Sequence, residues 1–126
     1  MVISHIALYV SDLKRSTAFY AGVLQLQPLE EPFKLGIHSW FSLGDRCQLH
    51  LIAGARQVPA LHINHHLALR TDKFDNYLER LTENSIEYFT PDHQPNTVSV
   101  RPDGIRQVFF QDPDGYWLEL NDEPLT

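Results

Sequence analysis

The chain holds a single cysteine, Cys47, which excludes an internal disulfide scaffold and points to a reducing compartment; an inert thiol buried beside a strand is expected here. It also lacks any cluster of lysine and arginine. Its 16 acidic residues outnumber 10 basic ones, giving a net charge of −6, so a phosphate-tracking surface is not expected and nucleic acid is set aside as a partner. No apolar run approaches the roughly 20 residues that cross a bilayer. The start, Met1-Val2-Ile3-Ser4-His5, has neither the basic region nor the apolar core of a secretion signal. A cytoplasmic protein with no membrane partner is expected. No low-complexity linker interrupts the 126 residues, and at 43% hydrophobic content they read as one domain, 1–126.

What the chain does have is an internal repeat. Ser4-His5-Ile6-Ala7-Leu8 matches His65-His66-Leu67-Ala68-Leu69 at a shift of 61 positions, from His5 to His66. Val2 to Val10 alternates as a strand, with Val2, Ile6, Leu8 and Val10 on one face and Ile3, His5, Ala7 and Tyr9 on the other. Ser11 and Asp12 offer an N-cap to a helix whose stripe is Leu13, Ser16, Thr17, Tyr20, Val23 and Leu24, with Gly22 as its expected stop. Leu26 to Ile52, broken by Pro28, Pro32, Gly36 and Gly44-Asp45, suits three antiparallel strands. After a connector at about 54–61 the order returns: a strand at His65 to Thr71, Asp72 as N-cap, and a helix with Phe74, Tyr77, Leu78 and Leu81 on one stripe. Strands are predicted near Ile86–Phe89, Ile105–Gln111 and Tyr116–Asn121, the last two joined by the turn Asp112-Pro113-Asp114-Gly115. By the last strands the shift is 69, from His50 to Glu119, and the eight extra residues are placed in the polar loop Thr90 to Gly104, a candidate lid. The prediction is an α+β fold of two tandem βαβββ modules, about 1–53 and 62–126.

Strand parity then selects a set of chemical groups. Leu49 and Leu51, like Leu118 and Leu120, take the apolar face of their strands, which leaves His50 and Glu119 on the other; His5 and His66 likewise oppose their leucines. If each sheet curls and the modules are related by a pseudo-two-fold axis, His5, His50, His66 and Glu119 share a metal-binding cleft. Imidazole and carboxylate suit Zn, Ni, Mn, Co or Fe(II), and the absence of thiolate ligands argues against a closed structural zinc site. His38, His62, His65 and His93 are read as surface or structural residues; His65 shares the face of Leu67 and Leu69. Tyr9, Trp40, Phe109 and Trp117 are expected to add aromatic walls around a small, partly apolar substrate.

His5-Ile6-Ala7-Leu8 running to Asp12-Leu13 and Phe19-Tyr20, with Phe109-Phe110-Gln111-Asp112-Pro113-Asp114-Gly115-Tyr116-Trp117-Leu118-Glu119-Leu120 near the end, resembles the vicinal oxygen chelate superfamily. That superfamily contains glyoxalase I, fosfomycin-resistance thiol transferases, extradiol dioxygenases and bleomycin-resistance proteins. The resemblance implies paired βαβββ modules forming a cleft, metal ligands at His5, His50, His66 and Glu119, and a homodimer, often with sites formed across subunits. It implies a metal-dependent enzyme similar to lactoylglutathione lyase that chelates vicinal oxygens, with Glu119 as the proton-transferring base. The alternatives are an extradiol-type Fe(II) dioxygenase and a non-catalytic sequestering dimer. His50 stands where glyoxalase I normally has a glutamate. Arg70, four past His66 and on the same face, is the repeat equivalent of Tyr9, the place of an arginine in glyoxalase I, and is expected to hold an anionic group of the substrate. Ala7 and Phe109 depart from threonine and tyrosine contacts of the fosfomycin enzymes, which disfavours that substrate.

Overall fold

The structure, a computed structural model, describes residues 1–124. The described residues form two compact units that divide between Pro59 and Ala60. Among the described residues no helix is long and apolar enough to cross a membrane.

In the first unit, β1 (His5–Val10) leads into α1 (Leu13–Ala18), then β2 (Pro28–Leu29), β3 (His38–Ser42) and β4 (Gln48–Ala53) follow. The sheet order is β1-β4-β3-β2. The last three strands form an antiparallel meander that brings β4 back beside β1 as its parallel neighbour, Ala7 opposite His50. Asp12 caps α1 by accepting the Arg15 N–H through its carboxylate at 3.0 Å. The expected stripe is the buried one: Ser16, Tyr20, Val23 and Leu24 lie against the sheet side that carries Phe41, Leu49 and Leu51. Thr17 adds a hydroxyl bond to Ser39 of β3 at 2.8 Å.

Gly22 does not stop this helix. The chain widens into a π-helical turn over Phe19–Val23, with the Leu24 N–H donating to the Phe19 carbonyl at 3.2 Å. The left-handed residue that ends it is Gln25, at φ 54°. The widening lets both Phe19 and Tyr20 turn inward, and their rings meet edge-on at 5.0 Å. Cys47 also differs from expectation: it is half-buried in the turn before β4, its N–H donating to the Gly44 carbonyl.

The second unit repeats the plan with β5 (His66–Arg70), α2 (Phe74–Glu83), β6 (Ser99–Val100), β7 (Arg106–Gln111) and β8 (Trp117–Asn121), in the order β5-β8-β7-β6. Phe74 and Leu81 of the α2 stripe are buried, Tyr77 and Leu78 half so. Lys73 rather than Asp72 occupies the N-cap and provides no side-chain bond to it. Arg106 fastens α2 to β7, stacking on the Phe74 ring at 4.6 Å and pairing with Asp75 at 2.9 Å.

The strand expected at Ile86–Phe89 is absent. Only Phe89 bridges, to Phe109 and Pro95, because the backbone turns immediately afterwards through Thr90 to Gln94. The vacated edge of β7 is taken by Ser99–Val100, from within the loop expected to be a lid. That loop is instead laced by hydrogen bonds, including Arg101 to Asp103 and to Glu123. The Asp112–Gly115 turn forms as expected: the buried Asp112 carboxylate accepts the N–H groups of Asp114 and Tyr116, and Gly115 adopts φ 91°.

Candidate metal-binding residues in the two units

Register fixes which side chains share a face. In the first unit, His5, Ala7 and Tyr9 of β1, Gln48 and His50 of β4, and His38 and Trp40 of β3 all point away from α1. Three rings stand in a row across the sheet: His5 stacks on His50 at 4.2 Å and 12°, and His50 on Trp40 at 3.9 Å and 3°. His50 Nε2 lies 2.8 Å from Gln48 Oε1, so that nitrogen is engaged inside the unit. Burial first, then the proximity of His5 and His38, lowers the His50 pKa below its ordinary value, holding the ring neutral. His5 is more exposed, with Nδ1 at 2.9 Å from the Ser4 hydroxyl. Tyr9 is 55% exposed, and its ring lies over Gly54, where a Cβ would come within 2.8 Å of the phenol oxygen.

In the second unit the corresponding face carries His66 and Arg70 of β5, Glu119 and Asn121 of β8, and Phe109 of β7. His66 Nδ1 meets the Ile63 carbonyl at 2.8 Å, so Nδ1 carries a proton and donates to that carbonyl, leaving Nε2 outside the bond. Nε2 faces Glu119 Oε1 at 3.5 Å. Glu119 is buried, and its other oxygen accepts from the Asn121 amide, whose own oxygen is held by the Glu123 N–H. The pair thus has one imidazole nitrogen committed to the backbone and the other turned toward a carboxylate oxygen. Phe109 and Trp117 lie on that face as its floor, packed with Ile63 and Phe89. Phe109 meets His66 edge-on at 5.1 Å, and the Trp117 indole donates to the Leu61 carbonyl. Arg70 is exposed and donates to the Pro124 carbonyl at 3.0 Å.

The four expected ligands thus occur as two pairs, one in each unit. Among the described residues no group of three or more His, Cys, Asp or Glu side chains is gathered closely enough to hold an ion. Asn121 and Gln48, the partners of Glu119 and His50, were not among the sequence candidates; the signal for both was there, since each stands two residues from its partner on the same strand face. His93, read as a structural residue, packs edge-on against Trp117 at 5.7 Å.

The model of the Glyoxalase/Bleomycin resistance protein/Dioxygenase superfamily matches residues 2–120. The metallothiol transferase FosB of Staphylococcus epidermidis is 27% identical over 132 residues, covering 94% of this chain and 80% of its own. Among solved structures, a glyoxalase/dioxygenase from Nostoc punctiforme is 28% identical with a TM-score of 0.80, covering 98% of this chain and 91% of that one. Oxidase ChaP-H2 has a TM-score of 0.81 at 24% identity, covering 98% and 94%, and speaks for the fold alone.

Proposed function

Because this chain belongs to the glyoxalase/bleomycin resistance protein/dioxygenase superfamily, we propose that it is a metal-dependent, glyoxalase-like enzyme acting on a small substrate with vicinal oxygens. The observation that carries this is the His66–Glu119 pair, with Nδ1 committed to a backbone carbonyl and Nε2 turned to the carboxylate at 3.5 Å. His5 is proposed as a further ligand. His50, expected as a fourth, is given a different part: its Nε2 is engaged by Gln48 and its ring backs the His5 ring.

A bound divalent ion would supply Lewis acidity, drawing charge from the chelated oxygens and making an adjacent carbon-bound proton easier to remove. Glu119 is proposed to take that proton, loosening from the metal to do so. Asn121 holds one carboxylate oxygen still, so the other is aimed rather than free to rotate. Phe109 and Trp117 keep water from the floor beneath His66. Arg70, on the same face of β5, is proposed to hold an anionic group of the substrate, with Tyr9 and Trp40 as aromatic contacts from the first unit. The active form is proposed to be a cytoplasmic homodimer.

Two imidazoles and one carboxylate are also the donor set of non-haem Fe(II) oxygenases, which favours ring-cleaving dioxygenase chemistry as the second reading. Elemental analysis of untagged protein separates the two. Near-stoichiometric Ni, Zn, Mn or Co with hemithioacetal isomerisation supports the first; iron with oxygen uptake supports the second. Glu119→Gln should abolish either activity, and Arg70→Ala should raise the apparent KM about tenfold. Failure to retain any of these metals after reconstitution, together with no turnover, would overturn both in favour of a sequestering protein.

A further inference from the structure

The loop between β2 and β3 covers two polar atoms that are buried and have no hydrogen-bond partner among the described residues, His38 Nδ1 and Trp40 Nε1. They stand two residues apart on β3 and so face the same side. Glu31 is the nearest carboxylate to His38, but at 3.9 Å it is beyond hydrogen-bond reach. Its oxygens are already occupied by the N–H groups of Phe33 and Lys34, at 2.6 and 3.0 Å. An indole N–H left unmet inside a protein is costly.

The same loop leaves apolar surface in water. Phe33 is 57% exposed, Leu35 68% and Ile37 43%. The Phe33 ring lies edge-on to both rings, 5.3 Å from His38 and 5.6 Å from Trp40. One face of the indole is covered by the flat stack on His50. The loop is pinned at one end by the Glu31 carboxylate, and beyond it the backbone passes through left-handed residues at Lys34 (φ 56°) and Gly36 (φ 77°). Unmet donors below and unburied apolar side chains above are complementary needs, and one kind of occupant answers both.

We propose that Phe33, His38 and Trp40 form a binding site for a flat aromatic ring bearing an oxygen acceptor. The loop lifts, the oxygen accepts from the Trp40 N–H with His38 Nδ1 as its second polar contact, and Phe33 closes over the ring. The site lies wholly within the first unit and needs no metal. That this ring belongs to the substrate rests on the function proposed above; the binding site itself does not.

The test uses chelator-treated, isotope-labelled protein and follows the indole N–H resonance of Trp40, assigned through Trp117→Phe. The probes are p-cresol, toluene and 4-methylcyclohexanol, which separate ring from oxygen. Saturable displacement of the Trp40 resonance by p-cresol is expected, with toluene at least tenfold weaker and 4-methylcyclohexanol without effect. Phe33→Ala, at an exposed position that leaves the fold intact, should weaken p-cresol at least fivefold. By calorimetry, Trp40→Phe should reduce p-cresol to the level of toluene. No saturable displacement by any probe, equal binding of p-cresol and 4-methylcyclohexanol, or indifference to Phe33→Ala would each overturn the site. Since metal is absent throughout, such a failure leaves the metal analysis standing, and a failure there leaves this result standing.

Discussion

At the scale of single residues, the histidines of the two units differ in which nitrogen their surroundings engage. His66 has its Nδ1 bound to a carbonyl and its Nε2 facing Glu119, whereas His50 has Nε2 engaged and both ring faces covered. Asn121 acts through Glu119, and its loss leaves the carboxylate free to turn. Asn121→Ala should therefore weaken metal affinity about tenfold to a hundredfold, measured by competition with a chromophoric chelator, while full loading is still reached at saturation. Asp122 supports the same strand end differently. The hydrogen bonds from Arg106 hold its carboxyl below the ordinary value, so the folded state binds fewer protons than the unfolded one around that pH. The resulting stability is present above the unfolded value of 3.8 and is lost as pH falls through the lowered folded value. Denaturant titrations of wild type and Asp122→Asn should differ at neutral pH and converge as pH falls below the lowered folded value. The side chain is partly solvated, so the difference is expected to be modest.

At the scale of elements, the β7–β8 hairpin carries Phe109 and Glu119 opposite one another, and its turn sets their register. Asp112 is 5% exposed and serves two backbone N–H groups across that turn. Replacing it with alanine leaves both without their acceptor, at a cost of about 2 kcal/mol. The drop should be visible in the urea midpoint. If it instead left stability unchanged, the turn would be formed by the strands and not by Asp112. The π-helical turn after α1 has a comparable part in the first unit, since it delivers Phe19 and Tyr20 together to the core beneath β4.

For the whole molecule, the proposed metal binding should be linked to folding. An ion that binds the folded chain and not the unfolded one would stabilise the folded state by mass action. Chelation should lower the melting temperature by several degrees, readdition of metal should restore it, and Glu119→Gln should show neither response. Light scattering is expected to give twice the 14.6 kDa chain mass, as the proposed homodimer requires.

The sequence alone determined the two-fold repeat of the fold, the faces of the first and last strands of each module and the equivalence of His5 with His66, because strand alternation is a local, period-two property that survives any tertiary arrangement. It also determined the Asp112–Gly115 turn, whose bonds lie within a few residues. Only the tertiary structure decided that Ile86–Phe89 would not be a strand, since the open edge of β7 accepts either of two segments and the turn after Phe89 settles which. It decided too that Gln25, not Gly22, ends the first helix, that Asn121 steadies Glu119, and that His50 stands between two rings with its nitrogen engaged. Those outcomes depend on which side chains meet across neighbouring strands, and periodicity along one strand carries no record of that.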